Sequence, residues 1–185
     1  AMYSVKNQGR NGYHFYSPGM QESSEEYQLI ATALHHAIER REFSMAYQPI
    51  VDAKTWKIES MEALLRWQHP ELWAISPTKF IPIAEADSEA IISIGKWTIR
   101  SVCEQIALWE KSGITVPKIA INLSVRQFLS KTLTSDILQI LMETWVSSYQ
   151  IGLEITEGTL FKDIDSAVAI IANLAELGFD ISIDD

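Results

Sequence analysis

Apolar residues recur along most of the chain at one of two spacings, helical or strand-like, and their alternation predicts an α/β fold. Leu29, Ile30, Ala33, Leu34, Ala37 and Ile38 fall on one helical face and predict a helix from about Glu25 to Arg41. Two strand-like runs follow, FSMAYQPIV over Phe43–Val51 and KIESMEALLR over Lys57–Arg66. The short Asp52–Trp56 segment between them suits an antiparallel hairpin. The stretch HPELWAISP reads as a loop rich in Pro and Trp. A long helix is predicted over Glu89–Lys111, with Ile91, Ile92, Ile94, Trp97, Val102, Ile106 and Trp109 on its buried side and Gly113 and Pro117 marking its end. Beyond it the pattern predicts a strand at Lys118–Leu123, a helix at Asp136–Trp145 and a strand at Gln150–Ile155. A helix at Asp165–Leu177, stopped by Gly178, then precedes a last strand at Phe179–Ile183.

Strand, helix, strand, helix, strand in this order predicts a parallel sheet built from right-handed βαβ units. It is either a doubly wound open sheet or a (β/α)8 TIM-like barrel. Polar residues bear on the choice, because Glu62, Asn122, Glu154 and Asp184 each sit in or at the end of a different predicted strand. In a barrel such positions converge on one mouth, whereas in an open sheet they spread along an edge. From Tyr27 onward about 160 residues remain, against about 250 for a typical full barrel, so the barrel reading implies an incomplete barrel of about its first five strands.

Composition narrows the classes of function. The net charge of −9 argues against non-specific binding to duplex nucleic acid, which needs a basic surface. It leaves room for a small anionic nucleotide, because divalent cations can supply positive charge locally. No run approaches the roughly 18–20 apolar residues of a membrane span, and Ala1–Tyr16 lacks the apolar core of a signal peptide. Cys103 is the only cysteine, which rules out an intrachain disulfide and fits a reducing, cytoplasmic setting. Residues 1–16 are basic and aromatic, residues 17–26 (SPGMQESSEE) read as a polar linker, and residues 27–185 form the main domain.

The candidate chemistry lies in the acids. Glu62 interrupts an apolar stretch; it either faces solvent or is buried beside a partner or a metal, because a lone buried carboxylate is costly. Asn122 is either a turn residue at a strand end or a carbonyl ligand. Glu154 and Glu157 lie three apart in LEITEG, as a helix-start charge pair or as one site residue and one loop brace. Asp184 and Asp185 form either a solvated acidic segment or a pair facing metal. Together these are hard oxygen ligands, which suit Mg2+ or Mn2+ rather than zinc. Two such ions about 3.5–4 Å apart can activate a water and clamp a phosphodiester. His14, His35, His36 and His69 form no zinc pattern and read as structural, and Cys103 reads as a small buried apolar residue.

Several ordered motifs then carry a resemblance. Tyr47-Gln48-Pro49-Ile50, Glu62-Ala63-Leu64-Leu65-Arg66-Trp67 with His69-Pro70, and Pro77 with Phe80-Ile81-Pro82-Ile83-Ala84-Glu85 resemble the EAL family. Ile94-Gly95-Lys96-Trp97, Asn122-Leu123-Ser124 with Gln127-Phe128, Leu153-Glu154-Ile155-Thr156-Glu157 and Ile183-Asp184-Asp185 continue the likeness over about Tyr27–Asp185. The resemblance implies a cyclic-di-GMP phosphodiesterase of bacterial signalling, a TIM-like barrel that hydrolyses cyclic-di-GMP to linear pGpG with Mg2+ or Mn2+. It implies that Glu62, Asn122, Glu154 and Asp184 hold a first metal and that Asp184 and Asp185 serve a second. Glu157 would brace the loop after its strand, Gln48 and Arg66 would contact the nucleotide, and Glu62, Glu157 and Asp185 would be catalytic. Arg66 suits that role physically, since guanidinium pairs well with phosphate. A homodimeric parent, which further domains can tether to a membrane, is also implied.

Residues 1–16 are similar to the end of a GGDEF domain, with Lys6 and Arg10 at nucleotide-contacting positions, but the GGDEF signature is absent and cyclase activity is not expected; for this chain's behaviour an incidental basic, aromatic tail is the preferred reading. The sequence departs from the EAL pattern at Trp73, where Gly is usual, and at Ala86-Asp87-Ser88, where Glu-Thr-Gly-like residues are usual. The pattern's later lysine and glutamate would follow Asp185, so this chain is expected to be truncated and inactive by itself. The alternative function is a receptor or interaction module that binds cyclic-di-GMP without cleaving it.

Overall fold

The computed structural model describes residues 18–156 and 164–184. Its element order is α1 (Pro18–Ala37), β1 (Phe43–Val51), β2 (Ile58–His69), β3 (Trp73–Ile75), α2 (Pro77–Ala86), α3 (Ser88–Lys111) and β4 (Lys118–Leu123). There follow α4 (Val125–Phe128), α5 (Leu133–Thr144), a 3-10 turn (Ser148–Gln150), β5 (Ile151–Thr156), α6 (Ile164–Glu176) and β6 (Asp180–Asp184). The strands form one sheet in the order β1-β2-β4-β5-β6, with β3 paired to β2 off this path. β1 and β3 run antiparallel to β2, as the short Asp52–Trp56 connection predicts for β1. β2, β4, β5 and β6 are mutually parallel.

The second strand runs on to His69, the helix expected from Asp136 begins at Leu133, and the short helix Val125–Phe128 was not expected; two further segments differ more. The first helix begins at Pro18 rather than near Glu25, so the polar stretch read as a linker is helical from Pro18 onward. The Pro-rich stretch after β2 is not only loop: it contains β3 and leads into α2, with Pro77 in that helix's first turn and Pro82 inside it. Proline is tolerated in a helix's first turn because the missing N–H has no intrahelical acceptor there.

Helix α3 carries the sheet. Asp87 caps its start, accepting from the Glu89 and Ala90 N–H groups, and Gly113 at φ +79° closes its end. Its buried residues Ile91, Ile94, Ile99, Val102, Cys103 and Ile106 recur at helical spacing. The lower part of this stripe packs with Ala63, Ile119, Ile121, Leu123, Leu153 and Ile155 of the parallel strands and with Ile137 and Ile140 of α5. A second cluster joins α1, α2 and the start of α3 around Phe43, Trp67 and Phe80, whose rings meet with centroids 5.2–5.9 Å apart. The buried Trp67 indole N–H donates to Glu42 at 2.9 Å, which fixes the end of β2 beside Arg66.

The histidines behave as structural groups. His69 Nδ1 accepts the N–H groups of Glu71 and Leu72 at 3.1 Å each, closing the turn into β3. His35 lies 3.6 Å from Asp87 and His36 lies 3.7 Å from Glu39. His14 lies outside the described residues. Cys103 is fully buried, and burial pushes its thiol up to about 11, so it stays protonated and apolar.

Candidate functional site

Strand pleating separates structure from chemistry. Side chains alternate across a strand, and the odd-numbered residues Ala63, Ile119, Ile121, Leu123, Leu153 and Ile155 are all buried in the helix-facing core. The even-numbered residues therefore share the opposite face, and Gln48, Glu62, Arg66, Asn122, Glu154 and Asp184 all belong to it. Gln48 pairs with Glu62 across β1 and β2, and Asn122 pairs with Glu154 across β4 and β5. Glu62 pairs with Ala120, and Glu154 with Ser182, so Asn122 and Asp184 each stand two residues further along. The four candidate ligands thus lie on four neighbouring parallel strands, on one face and near one end.

The geometry brings two of them into contact. Asn122 Nδ2 donates to Glu62 Oε1 at 2.7 Å. Burial, together with the nearby Glu62 and Asp184 carboxylates, holds the Glu154 carboxyl above its ordinary value, partly offset by a hydrogen bond from Ser182. Arg66 stands four residues along β2 from Glu62 and is exposed. Its Nη1 donates to the Leu65 carbonyl at 3.0 Å, and among the described residues it has no carboxylate partner. Gln48 is exposed on the same face, opposite Glu62 and four positions along the hairpin from Arg66. Tyr47 points the other way, packing on Trp109 with centroids 5.0 Å apart, and burial pushes its phenol up to about 12. Glu157 and Asp185 lie outside the described residues.

The donor set fits a hard divalent cation. Three carboxylates and one amide oxygen are what Mg2+ or Mn2+ prefers. Burial first, and the Glu62 and Asp184 carboxylates second, raise the Glu154 carboxyl, and a bound cation would favour its charged form. The Asn122 amide can present its oxygen when turned over, since amide nitrogen and oxygen occupy equivalent positions. The described part is an open face and not a finished cage: among the described residues no three acids, histidines or cysteines gather closely enough to hold a metal. Sequence reasoning named Gln127 only within a family-like motif and gave it no role; it is buried and braces the turn after β4. Its signal was present as Ser124 followed three residues later by Gln127, the spacing of a capping box.

A partial parallel α/β sheet with helices on one face and acid and amide side chains on the other has the architecture of part of a TIM-like barrel. The EAL domain matches residues 31–185, and the chain belongs to the EAL domain family. It is 38% identical over 185 residues to the bifunctional diguanylate cyclase/cyclic di-GMP phosphodiesterase MucR of Pseudomonas aeruginosa, covering 100% of this chain and 27% of that protein. It is 35% identical over 187 residues to the cyclic di-GMP phosphodiesterase PdeR of Escherichia coli, covering 100% of this chain and 28% of that protein. The solved PaMucR phosphodiesterase in complex with c-di-GMP superposes with a TM-score of 0.80 at 36% identity, over 85% of this chain and 63% of that one. The FimX EAL domain of Xanthomonas citri, at 18% identity and a TM-score of 0.75 over 88% of this chain and 62% of that one, shares the fold. The chain thus spans about a quarter of the length of these curated relatives. Among the described residues no helix is long and apolar enough to cross a membrane.

Proposed function

We propose that this chain contributes the cation- and nucleotide-binding face of a cyclic-di-GMP phosphodiesterase, with pGpG as product. The observation that carries this reading is the placement of Glu62, Asn122, Glu154 and Asp184 on one face of four neighbouring parallel strands, with Asn122 Nδ2 donating to Glu62 Oε1 at 2.7 Å. Glu62, Asn122, Glu154 and Asp184 would hold a first Mg2+ or Mn2+, and Asp184 with Asp185 a second. Such cations, when bound, supply Lewis acidity and lower the pKa of a bound water.

The chain's own residues divide the remaining work. Arg66, exposed and free of a carboxylate partner among the described residues, is placed to pair with a phosphate oxygen in the forked manner of a guanidinium. Gln48, opposite Glu62 in the hairpin, offers both donor and acceptor to a base or phosphate. Glu62 fixes the Asn122 amide through the 2.7 Å bond. Glu157, outside the described residues, would serve as the loop brace that the family resemblance implies. The bifunctional character of MucR supports reading residues 1–16 as the end of a cyclase domain joined to this one through α1. Its parent is proposed to act as a cytoplasmic or membrane-tethered homodimer.

The test is incubation of the longer parent protein, alongside this chain, with cyclic-di-GMP and Mn2+ or Mg2+, followed by separation of nucleotides. Cation-dependent appearance of pGpG is expected from the parent and not from this chain by itself. Saturable binding of cyclic-di-GMP without any pGpG would replace this reading with a non-catalytic receptor.

A further inference from the structure

We propose that Gln127 is a positioning residue for Asn122, clamping the turn after β4 onto helix α3 so that the Asn122 amide meets Glu62. Gln127 is 7% exposed, and each end of its amide is committed. Its Oε1 accepts the Ser124 N–H at 2.8 Å, and its Nε2 donates to the Ile91 carbonyl at 2.6 Å. The first bond belongs to a local capping box, completed by Ser124 Oγ accepting the Gln127 N–H. The second is a different kind of contact, since it ties the turn to a helix 36 residues earlier in the chain. Arg126 adds a second tie by donating to Ser88 Oγ at the start of α3.

Gly95 makes the clamp possible. A Cβ built at that position would stand 2.6 Å from Gln127 Nε2 and 2.8 Å from Gln127 Cδ, closer than side chains approach one another. A glycine inside a helix costs stability relative to alanine, and here it opens the slot that the glutamine amide fills. Asn122 lies two residues before Ser124, with only the buried Leu123 between them, so the clamp sets where β4 ends and which way Asn122 faces. Groups behind a metal ligand commonly govern affinity about as strongly as some ligands do, at about 10–100-fold.

The molecule contains its own control. Gln150 makes an analogous, more exposed pair of bonds at the other end of α3: its Oε1 accepts the Ser147 N–H at 3.1 Å, and its Nε2 donates to the Glu110 side-chain Oε1 at 2.7 Å rather than to a backbone carbonyl. It stands at the start of β5, away from the acid set. This inference rests on Asn122 being a site residue, and two readouts separate its failure from failure of that reading. The first needs no ligand: the side-chain amide resonances of Asn122 should move in Gln127→Ala and stay in place in Gln150→Ala. The second is Mn2+ affinity, expected to fall about tenfold in Gln127→Ala and less than twofold in Gln150→Ala. Gly95→Ala, which displaces the glutamine without deleting it, should move the Asn122 resonances in the same way and serves if Gln127→Ala does not fold. Unmoved Asn122 resonances in both clamp variants would overturn the proposal, whether or not the protein binds Mn2+. Equal loss of affinity in Gln127→Ala and Gln150→Ala would overturn it as well, by reducing the clamp to general stability. No Mn2+ binding by the unaltered protein would defeat the functional reading alone, leaving the resonances to decide this one.

Discussion

The two faces of strands β2, β4 and β5 differ by a single residue step, and nearly everything about them differs with it. On the helix side, Ala63, Ile121, Leu123, Leu153 and Ile155 are each 4% exposed or less. On the other side, Glu62, Asn122 and Glu154 stand in the same strands, one position away from those residues, and remain accessible. The first face holds the fold together through dispersion and the removal of apolar surface from water. The second gathers like charges that the fold does not neutralise. Stability and chemistry are thus carried by alternate residues, and changes on one face should leave the other's property nearly untouched.

The largest effect should come from the buried face. Ile121→Ala removes a side chain that is 1% exposed, between Ala63 and Leu153 in register, and should cost about 2–5 kcal/mol of stability, read from urea or thermal unfolding. Across the strand, Glu62→Ala should reduce the longer parent protein's pGpG formation by more than about 100-fold while moving the unfolding midpoint little, because its removal also relieves repulsion at Glu154. Loss of stability comparable to that of Ile121→Ala would break the contrast between the faces. Smaller again is the effect of the cation itself: Mn2+ at about 100 times its dissociation constant should stabilise the protein by about 2.7 kcal/mol, and this gain should vanish in Glu62→Ala.

The smallest effect concerns pH. The Glu154 carboxyl is raised in the folded protein, so folding is favoured by its protonation, and this contribution fades as pH rises from the ordinary glutamate value through the raised one. Glu154→Gln should therefore raise the cation-free midpoint slightly at neutral pH and have no such effect below the ordinary glutamate range, while weakening Mn2+ binding. A variant that is less stable than the parent at neutral pH would show that Glu154 holds the fold rather than the site.

Much of this division is legible in the sequence, for particular physical reasons. The strands Phe43–Val51 and Lys118–Leu123 have the bounds expected from their apolar pattern, because short β-rich runs closed by Asp52 or opened after Pro117 leave little choice. Polar residues inside such runs, Glu62 and Asn122 above all, stand out because apolar neighbours on both sides make an accidental carboxylate or amide costly. Helix α2 was hidden by its own prolines, since Pro77 and Pro82 read as loop punctuation until the first is seen in a helix's opening turn. The start of α1 was hidden in the same way by Pro18 and the serines that follow it. The shared field around Glu154 was not legible, because it depends on register: Asn122 lies level with Glu154, while Glu62 and Asp184 are offset by two residues on either side. Gln127, visible as part of a motif, received no role because its long-range partner, the Ile91 carbonyl, is a backbone group that no side-chain motif announces.

The central claim is that the even-numbered face is a cation site built from Glu62, Asn122, Glu154 and Asp184. Equilibrium titration with Mn2+ at neutral pH, following free Mn2+ by its electron spin resonance, tests it most directly in the parent and in Glu62→Ala. Saturable binding that weakens at least tenfold in the variant, with an unchanged unfolding midpoint in the absence of metal, is the expected result. Binding of equal strength in both proteins, or none in either, would contradict it.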